Sequence, residues 1–309
     1  MKLRAIPAAI VLLLGLAAPV AAGPFEDATA ATNRGDYATA LRLWRPLAEN
    51  GNAAAQFNLG FMYDYGEGVA RDYAEAAKWY RLAANQGYSN AQEQLGAMYL
   101  RGSGVPQDYT EAAIWLRRAG EQGLAFSQIN LGDMYADGLG VTQDYAEAAK
   151  WYRLAAAKGL FGAQFNLGKM YYDGRGVPQD YAEAVKWYRL AAAQGSVAAQ
   201  FNLGRMYDKG EGVPQDYAEA VKLYRLAAAQ GNASAQLNLG FMYGEGQGVP
   251  QDYVQAHKWF NLAASRYPAS EKENRDLAVK NRDLVGRKMT PQQIAEAQRL
   301  AREWKPGSP

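Results

Sequence analysis

The sequence predicts an all-α fold, a right-handed α-solenoid superhelix of stacked helix-turn-helix repeats with capping helices at both ends. Three observations lead to this prediction. The pair Leu-Gly recurs six times at a constant interval of 36 residues, and a fixed period of that length is typical of repeat arrays. Each interval holds two stretches with apolar residues at steps of three and four, as in amphipathic helices. Alanine and tyrosine are abundant, whereas the β-branched residues that favour strands are scarce.

The repeated unit is a helical hairpin with a glycine-containing loop. In the fourth repeat, Ala163, Leu167 and Met170 fall on one face of the first helix. Asp180 then stands at the start of the second helix with Glu183 three residues on, a spacing that predicts a capping box. The shared pattern is A-Q-x-x-L-G-x-M-Y-x-x-G-x-G-V-x-x-D-Y-x-x-A-x-x-W-Y-x-x-A-A-x-x-G, and the six repeats cover residues 52–87, 88–123, 124–159, 160–195, 196–231 and 232–267.

The glycine of each Leu-Gly pair lies inside the first helix. Glycine in a helix interior costs about 1 kcal/mol relative to alanine, so six repetitions of this choice require a packing reason. We expect a large tryptophan or tyrosine of a neighbouring helix to fill the space beside it. The alternative is that these glycines gather around a ligand.

The pattern resembles the Sel-one-like repeat (SLR) family, the 36-residue relatives of tetratricopeptide repeats. The resemblance covers residues 52–267 and rests on the motifs L-G-x-M-Y, G-x-G-V and D-Y-x-x-A. It implies an array whose first helices line a concave groove, and a scaffold function in which that groove binds a protein.

Segments on both sides of the array are predicted to cap it. Residues 23–51 form an atypical helix pair without the G-x-G-V loop, and residues 268–309 contain helices at 271–285 and 291–304. Thr290 before a proline is a helix-start signal. Such caps are needed because each repeat buries its apolar face only against its neighbours. The alternative is a C-terminal tail that docks on a partner.

The N-terminus is predicted to be a secretory signal peptide. Two basic residues precede the short apolar stretch from Ala8 to Leu16, and small residues follow it. We assign residues 1–22 to the signal peptide, with cleavage between Ala22 and Gly23, and expect a periplasmic or secreted protein. The alternative is an uncleaved N-terminal anchor.

The remaining chain is formally neutral. The first 22 residues hold two of the 33 basic residues and none of the 31 acidic ones, which leaves 31 of each. A neutral chain gives no electrostatic argument for a nucleic acid partner. The absence of cysteine excludes disulfides and thiolate catalysis. We expect no transmembrane segment after signal cleavage, and a monomer.

No catalytic residue, metal site or cofactor is predicted. The chain has no G-x-S-x-G or S-x-x-K motif for a serine nucleophile. His257 is the single histidine, and alone it cannot form a zinc site. Other repeats have alanine or valine at this position, so we interpret His257 as a tolerated residue where the array meets its cap, in preference to a general base.

Binding residues are predicted where the rigid repeat template varies. Three positions of the first helix, spaced by three and four residues, share one face. The alternative is that they are solvated surface residues. The candidate partner-binding residues are Asn58, Phe61, Tyr65, Gln94, Arg101, Asn130, Asp133, Asp137, Asn166, Lys169, Asp173, Asn202, Arg205, Lys209, Asn238, Phe241 and Glu245.

These features together predict an exported, non-enzymatic scaffold that binds a protein or peptide partner through its concave groove as an envelope adaptor or regulator. An alternative from another class is binding of cell-wall glycan or muropeptide, with or without weak hydrolase activity, because aromatic grooves stack sugars. A third is a structural spacer without a specific ligand.

Overall fold

The computed structural model describes residues 23–307. Within that range the chain forms sixteen α-helices and one short 3-10 helix, and no strand. Consecutive helices pack against one another as helical pairs, the arrangement of an α-solenoid. The predicted all-α repeat fold is therefore confirmed. The predicted signal peptide, residues 1–22, lies outside the described residues.

Each repeat consists of two helices of about four turns. The first helices of repeats one to six are α3 (Ala53–Tyr65), α5 (Ser89–Arg101), α7 (Ala125–Asp137), α9 (Phe161–Asp173), α11 (Val197–Lys209) and α13 (Ala233–Glu245). The second helices are α4 (Tyr73–Asn85), α6 (Tyr109–Glu121), α8 (Tyr145–Ala157), α10 (Tyr181–Ala193), α12 (Tyr217–Ala229) and α14 (Tyr253–Arg266). The flanking helices are α1 (Pro24–Asn33), α2 (Tyr37–Glu49), α15 (Lys272–Gly286) and α16 (Pro291–Glu303).

The helices belong to two compact units. The first unit extends to Ala91 and includes Ser103–Val105, and the second contains Gln92–Gly102 and runs on from Pro106. No helix in the described range is long and apolar enough to cross a membrane.

The glycine inside each first helix packs against the second helix of its own repeat. A Cβ at Gly132 would lie 2.4 Å from Cε1 of Tyr152, and a Cβ at Gly240 would lie 2.5 Å from the ring of Phe260. Both distances are shorter than carbon atoms tolerate. The space is filled by tyrosine in four repeats, by Leu116 in the second and by Phe260 in the sixth. The expected packing role is confirmed, although no tryptophan fills the space.

The second glycine of each G-x-G-V loop lies against the backbone of the preceding repeat. Gly140 and Gly176 have φ values of +67° and +70°, which non-glycine residues rarely adopt. A Cβ on Gly140 would lie 2.2 Å from the carbonyl oxygen of Tyr109, and one on Gly176 would lie 2.1 Å from that of Tyr145. The backbones of adjacent repeats in the second unit are therefore in direct contact, which only glycine permits.

The second helices begin at a capping aspartate. Asp144 Oδ1 accepts hydrogen bonds from the backbone N–H groups of Ala146 at 2.9 Å and Glu147 at 3.0 Å. The predicted reciprocal half of the capping box does not form in this repeat, because the Asp144 N–H donates to the carbonyl of Tyr135 at 2.9 Å. Glu147 forms an ion pair with Lys150 at 2.7 Å instead.

The N-terminal helices form a pair of their own in the first unit. Asp36 accepts a hydrogen bond from the N–H of Thr39 at 3.2 Å and caps α2. Trp44 of α2 is buried, and the ring of Phe25 meets it edge-on with 5.0 Å between centroids. This pair lacks the G-x-G-V loop, as its sequence indicates.

At the other end, α16 covers the last repeats of the second unit. Its start has both halves of a capping box, since the Thr290 N–H donates to Gln293 Oε1 at 2.8 Å and the Gln293 N–H donates to Thr290 Oγ1 at 3.3 Å. Ala301 and Trp304 are buried in one cluster with Trp259 of α14. The apolar face of α16 is thus used for packing inside this chain.

Replacing the helix-interior glycine tests the close approach of the two helices. Gly132→Ala places a methyl group into the Tyr152 ring, so the free energy of unfolding should fall by about 1–3 kcal/mol. Gly162→Ala is the matched control, because nothing lies within 4 Å of its Cβ position; its stability should be unchanged or rise by up to about 1 kcal/mol. Urea unfolding followed by circular dichroism measures both. Equal effects of the two variants would contradict the packing role.

Candidate partner-binding site

Five of the predicted binding residues come together in the second unit. They line one cavity of about 240 Å³ between the third and fourth repeats. α7 supplies two of them and α9 the other three, so the site uses the first-helix face that the repeat pattern indicated. The five residues are Asp133, Asp137, Asn166, Lys169 and Asp173.

Asp133 is fixed at the base of this cavity by two hydrogen bonds. The hydroxyl of Tyr152 donates to its Oδ1 at 2.6 Å, and the amide of Asn166 donates to the same oxygen at 3.2 Å. Tyr152 comes from the second helix of the third repeat, and Asn166 from the first helix of the fourth. Asp133 therefore links two helices of its own repeat to the next repeat.

The electrostatics of Asp133 are those of a partly desolvated carboxylate. Burial raises its pKa, the hydrogen bond from Tyr152 opposes that rise, and the nearby charge of Asp137 adds to it. The pKa of Tyr152 is also raised, first by burial and then by its hydrogen bond to Asp133. The pair is thus a neutral phenol that donates to a carboxylate at neutral pH.

Exposed charges surround this fixed carboxylate. Asp137, Lys169 and Asp173 are exposed, and none has an ion-pair partner among residues 23–307. Arg175 lies over the ring of Tyr145, 5.7 Å from its centroid. The lining of the cavity thus holds three carboxylates and two cationic groups.

The basic side chains of the fifth repeat already make contacts within the chain. Arg205 lies over the ring of Phe201, 5.9 Å from its centroid, and Lys209 pairs with Glu211 at 3.7 Å. The other predicted positions of the second unit line no cavity with the five residues. They are half-buried or exposed: Gln94, Arg101, Asn130 and Asn202.

Two predicted residues of the sixth repeat lie against the C-terminal helices. Phe241 and Glu245 line a cavity of about 190 Å³ together with Val285 of α15 and Lys288 of the turn that follows it. The ring of Phe241 also packs on Phe260, with 5.1 Å between centroids. Phe241 therefore packs partly in the core and partly lines the cavity. The side chain of Asn238 forms a hydrogen bond with Tyr224 of the preceding repeat.

In the first unit, the predicted residues form a stacked aromatic pair. Phe61 and Tyr65 are one helical turn apart, with ring centroids 4.3 Å apart and planes inclined by 28°. Tyr65 is 55% exposed, so its ring face is accessible. Asn58 is half-buried one turn before Phe61.

Sequence reasoning missed the residues that organise the predicted ones. Tyr152 belongs to a recurrent core position, and its pattern gave no sign that its hydroxyl reaches the surface. A related hydrogen bond forms in the fifth repeat, where Tyr224 donates to Asp208 at 3.1 Å. Asp208 lies three residues later in its repeat than Asp133 does. A partial signal was present, because an aspartate occurs at one of these two positions in three of the four repeats whose core residue is tyrosine. Arg175 was missed because it lies in the loop.

The described residues contain no group of three or more histidines, aspartates or glutamates able to hold a metal ion. The carboxylates of the partner-binding cavity are spread along two helices, α7 and α9.

The raised pKa of Asp133 predicts a stabilising substitution. A carboxyl group whose folded pKa is raised binds more protons when folded, so its contribution opposes folding above that pKa and fades as the pH falls below it. Asp133→Asn keeps an oxygen for Tyr152 and should raise the free energy of unfolding at pH 7 by less than about 1 kcal/mol, since solvent screens a half-buried group. The gain should shrink towards pH 4. Thermal melts at both pH values measure it.

Glu121→Gln is the matched control for this prediction, because Glu121 is an exposed carboxylate of α6. Its melting temperature should match that of the wild-type chain at both pH values. Equal effects of Asp133→Asn and Glu121→Gln would show that Asp133 carries no special desolvation cost.

Comparison with a solved structure supports this architecture. The structure of a Sel1 repeat protein from Oxalobacter formigenes has 32% sequence identity and a TM-score of 0.67, over 78% of this chain and 97% of that one. The structure of c5321, a protective antigen of uropathogenic Escherichia coli strains that displays an SLR fold, has 29% identity and a TM-score of 0.49, over 91% and 84%. No match was found among curated proteins.

The family model described as Sel1 repeat matches the chain six times in succession. The matched segments cover most of the described residues and follow the period of the sequence. They are residues 53–88, 89–124, 125–160, 162–196, 197–232 and 233–267. The chain therefore belongs to the Sel1 repeat family.

Proposed function

We propose that this protein is an exported, non-enzymatic scaffold that binds a protein or peptide partner on the face of its first helices, and that it acts as an adaptor or regulator in the cell envelope. Sel1 repeats are a scaffold commonly used for protein–protein interaction. Arrays of this kind present long continuous surfaces built from equivalent positions of successive repeats.

The observation that carries the proposal is the cavity between the third and fourth repeats. Positions that the fold requires, such as Leu131, Leu167 and Met134, are buried. Asp137 and Lys169 instead occupy positions at which the repeats differ, and both remain exposed and unpaired in the second unit. Charged residues that the fold does not require, gathered in one concavity, favour a role in recognition.

The geometry favours an extended segment that carries both a basic and an acidic side chain. Asp133 is held in place before binding by Tyr152 and Asn166, so a lysine or arginine of the partner meets a preorganised acceptor. Lys169 in the same cavity offers a cation to a carboxylate of the partner.

Charge reversal at the exposed positions tests this site. The triple variant Asp137→Lys, Lys169→Glu, Asp173→Lys should lose at least tenfold in affinity for the partner, because each substitution places like charges opposite each other. Its melting temperature should be unchanged, since all three side chains are exposed. A photo-crosslinking residue at position 137 in envelope preparations identifies the partner, and titration of the purified pair measures the affinity.

The matched control for the triple variant is Glu121→Lys, a charge reversal on an exposed position of α6 outside the cavity. It should bind the partner as the wild-type chain does. Crosslinking of the same protein from position 121 as from position 137, or unchanged binding by the triple variant, would show that the cavity is not the binding site.

Glycan binding is the second candidate, and the stacked pair Phe61 and Tyr65 of the first unit favours it. The exposed ring of Tyr65 offers the flat apolar face on which sugars stack. Tyrosine rings at the recurrent core position, such as Tyr80 and Tyr188, are buried instead. Calorimetry with purified muropeptides should show heat that Tyr65→Ala abolishes if this candidate is right. No heat with the wild-type chain removes it.

Export is tested on the whole chain. Residues 1–22 have a basic start, an apolar stretch and small residues before Gly23. We expect the native protein in the periplasmic or secreted fraction of its cells, with Gly23 as the first residue in N-terminal sequencing. A chain recovered from the cytoplasm that still begins at Met1 would contradict export.

A further inference from the structure

A second cavity lies between α14 and the two C-terminal helices. Its volume is about 560 Å³, within the range of about 300–1,000 Å³ typical of small-molecule sites. α14 contributes His257 and Asn261, α15 contributes Arg282, the turn after α15 contributes Arg287, and α16 contributes Arg302. All of these residues belong to the second unit, and none was among the predicted binding residues.

The cavity has an excess of positive charge. Three arginines line it, and Asp283 is the one carboxylate among its lining residues. Asp283 Oδ1 already accepts a hydrogen bond from Arg282 at 2.8 Å. The guanidinium groups of Arg287 and Arg302 make no hydrogen bond or ion pair with any residue in the range 23–307. Two free guanidinium groups beside one concavity match the planar, double-acceptor geometry of a phosphate or a carboxylate.

His257 adds a buried polar group to the same cavity. The residue is 5% exposed, and its Nδ1 atom is buried without a hydrogen-bond partner. The Cδ2–Nε2 edge of the ring faces Gly286, another lining residue: a Cβ there would lie 3.7 Å from Cδ2 and 3.9 Å from Nε2. Other repeats have an apolar residue at this position, for example Val185 and Val221. The fold of the repeat therefore does not require a histidine, and an unpaired buried nitrogen needs a reason.

We propose that this cavity binds a small molecule through an oxyanion group, a phosphate or a carboxylate, held by Arg287 and Arg302, and that His257 takes up a proton when the anion binds. Arg282 is the third cation of the site, and its pairing with Asp283 holds it in place. The site is separate from the partner-binding cavity, so neither proposal depends on the other.

The charges around His257 explain the coupling to a proton. Burial lowers its pKa first, the charge of Arg282 lowers it further, and Asp283 opposes both. The neutral ring is therefore the form in the empty cavity at pH 7. α16 contributes the charge of Arg302, and α13 contributes no lining residue. A bound anion offsets the arginines and favours the charged ring, so binding should tighten as the pH falls.

The sole histidine of the chain makes a direct test available. In protein purified without a histidine tag, the imidazole Hε1 signal in proton NMR reports on His257 alone. Inorganic phosphate and citrate are titrated separately at pH 7, to distinguish a phosphate source from a carboxylate source. We expect a saturable shift of the signal with at least one anion, and an increase in the measured His257 pKa. No saturable shift with either anion up to 50 mM would overturn the proposal.

Substitutions then locate the anion. The double variant Arg287→Gln, Arg302→Gln should bind at least tenfold more weakly, and it should fold because both side chains are exposed. Arg275→Gln is the matched control, since it removes the same charge from α15 outside the cavity. Equal weakening by the control and the double variant would indicate a general charge effect and overturn the site.

The proton uptake has a separate measurement. Sulfate keeps the same charge between pH 5.5 and pH 8, so its affinity isolates the protein's contribution. Calorimetry should show that sulfate binds more tightly at pH 5.5 than at pH 8. The affinity should rise by about tenfold for each unit by which the anion raises the His257 pKa. His257→Val, which installs the residue of two other repeats, should remove this dependence. A dependence that persists in His257→Val would contradict the role of the histidine.

Discussion

The contact between a helix-interior glycine and the ring of the second helix is the constraint on which each repeat depends. Because Gly132 has no side chain, α7 and α8 approach so closely that the Tyr152 ring occupies the place of a Cβ. That approach also decides where the far end of the tyrosine emerges. Its hydroxyl reaches Asp133, the residue that follows Gly132 in α7. One packing choice therefore builds the core and positions the carboxylate of the binding cavity.

A second glycine contact sets the spacing between repeats. Gly140 lies against the carbonyl of Tyr109 of the preceding repeat, at a distance that excludes any side chain. Backbone-to-backbone contact does not change when surface residues change, so every repeat can keep its position while its exposed positions vary. Each 36-residue repeat thus uses one set of positions for its structure and another set for recognition. Equivalent positions of different repeats can therefore carry an aromatic ring, as at Phe61, or a charge, as at Lys169.

Much of the fold could be predicted because its determinants recur at a fixed period. The first helix of every repeat ends at a glycine, and the second helix begins at an aspartate, that all six repeats share. Features that differ between repeats, or that occur only once, could not be predicted. The reciprocal half of the capping box failed at Glu147 because the backbone geometry had already given the Asp144 N–H another acceptor. The cavity beside α15 and α16 was not foreseen because those helices occur once, so no comparison between repeats reveals which of their charges the fold requires.

Each of the two cavities of the second unit contains a polar group whose burial is energetically unfavourable. Asp133 is a partly desolvated carboxylate, and His257 holds a buried nitrogen without a partner. Both stand at positions where other repeats have residues that avoid this cost, such as Ala97 and Val221. A group that weakens folding at a position the fold does not dictate is expected at functional sites. The opposite charge of the two cavities follows from the same reasoning, since each presents the charge that its own ligand would neutralise.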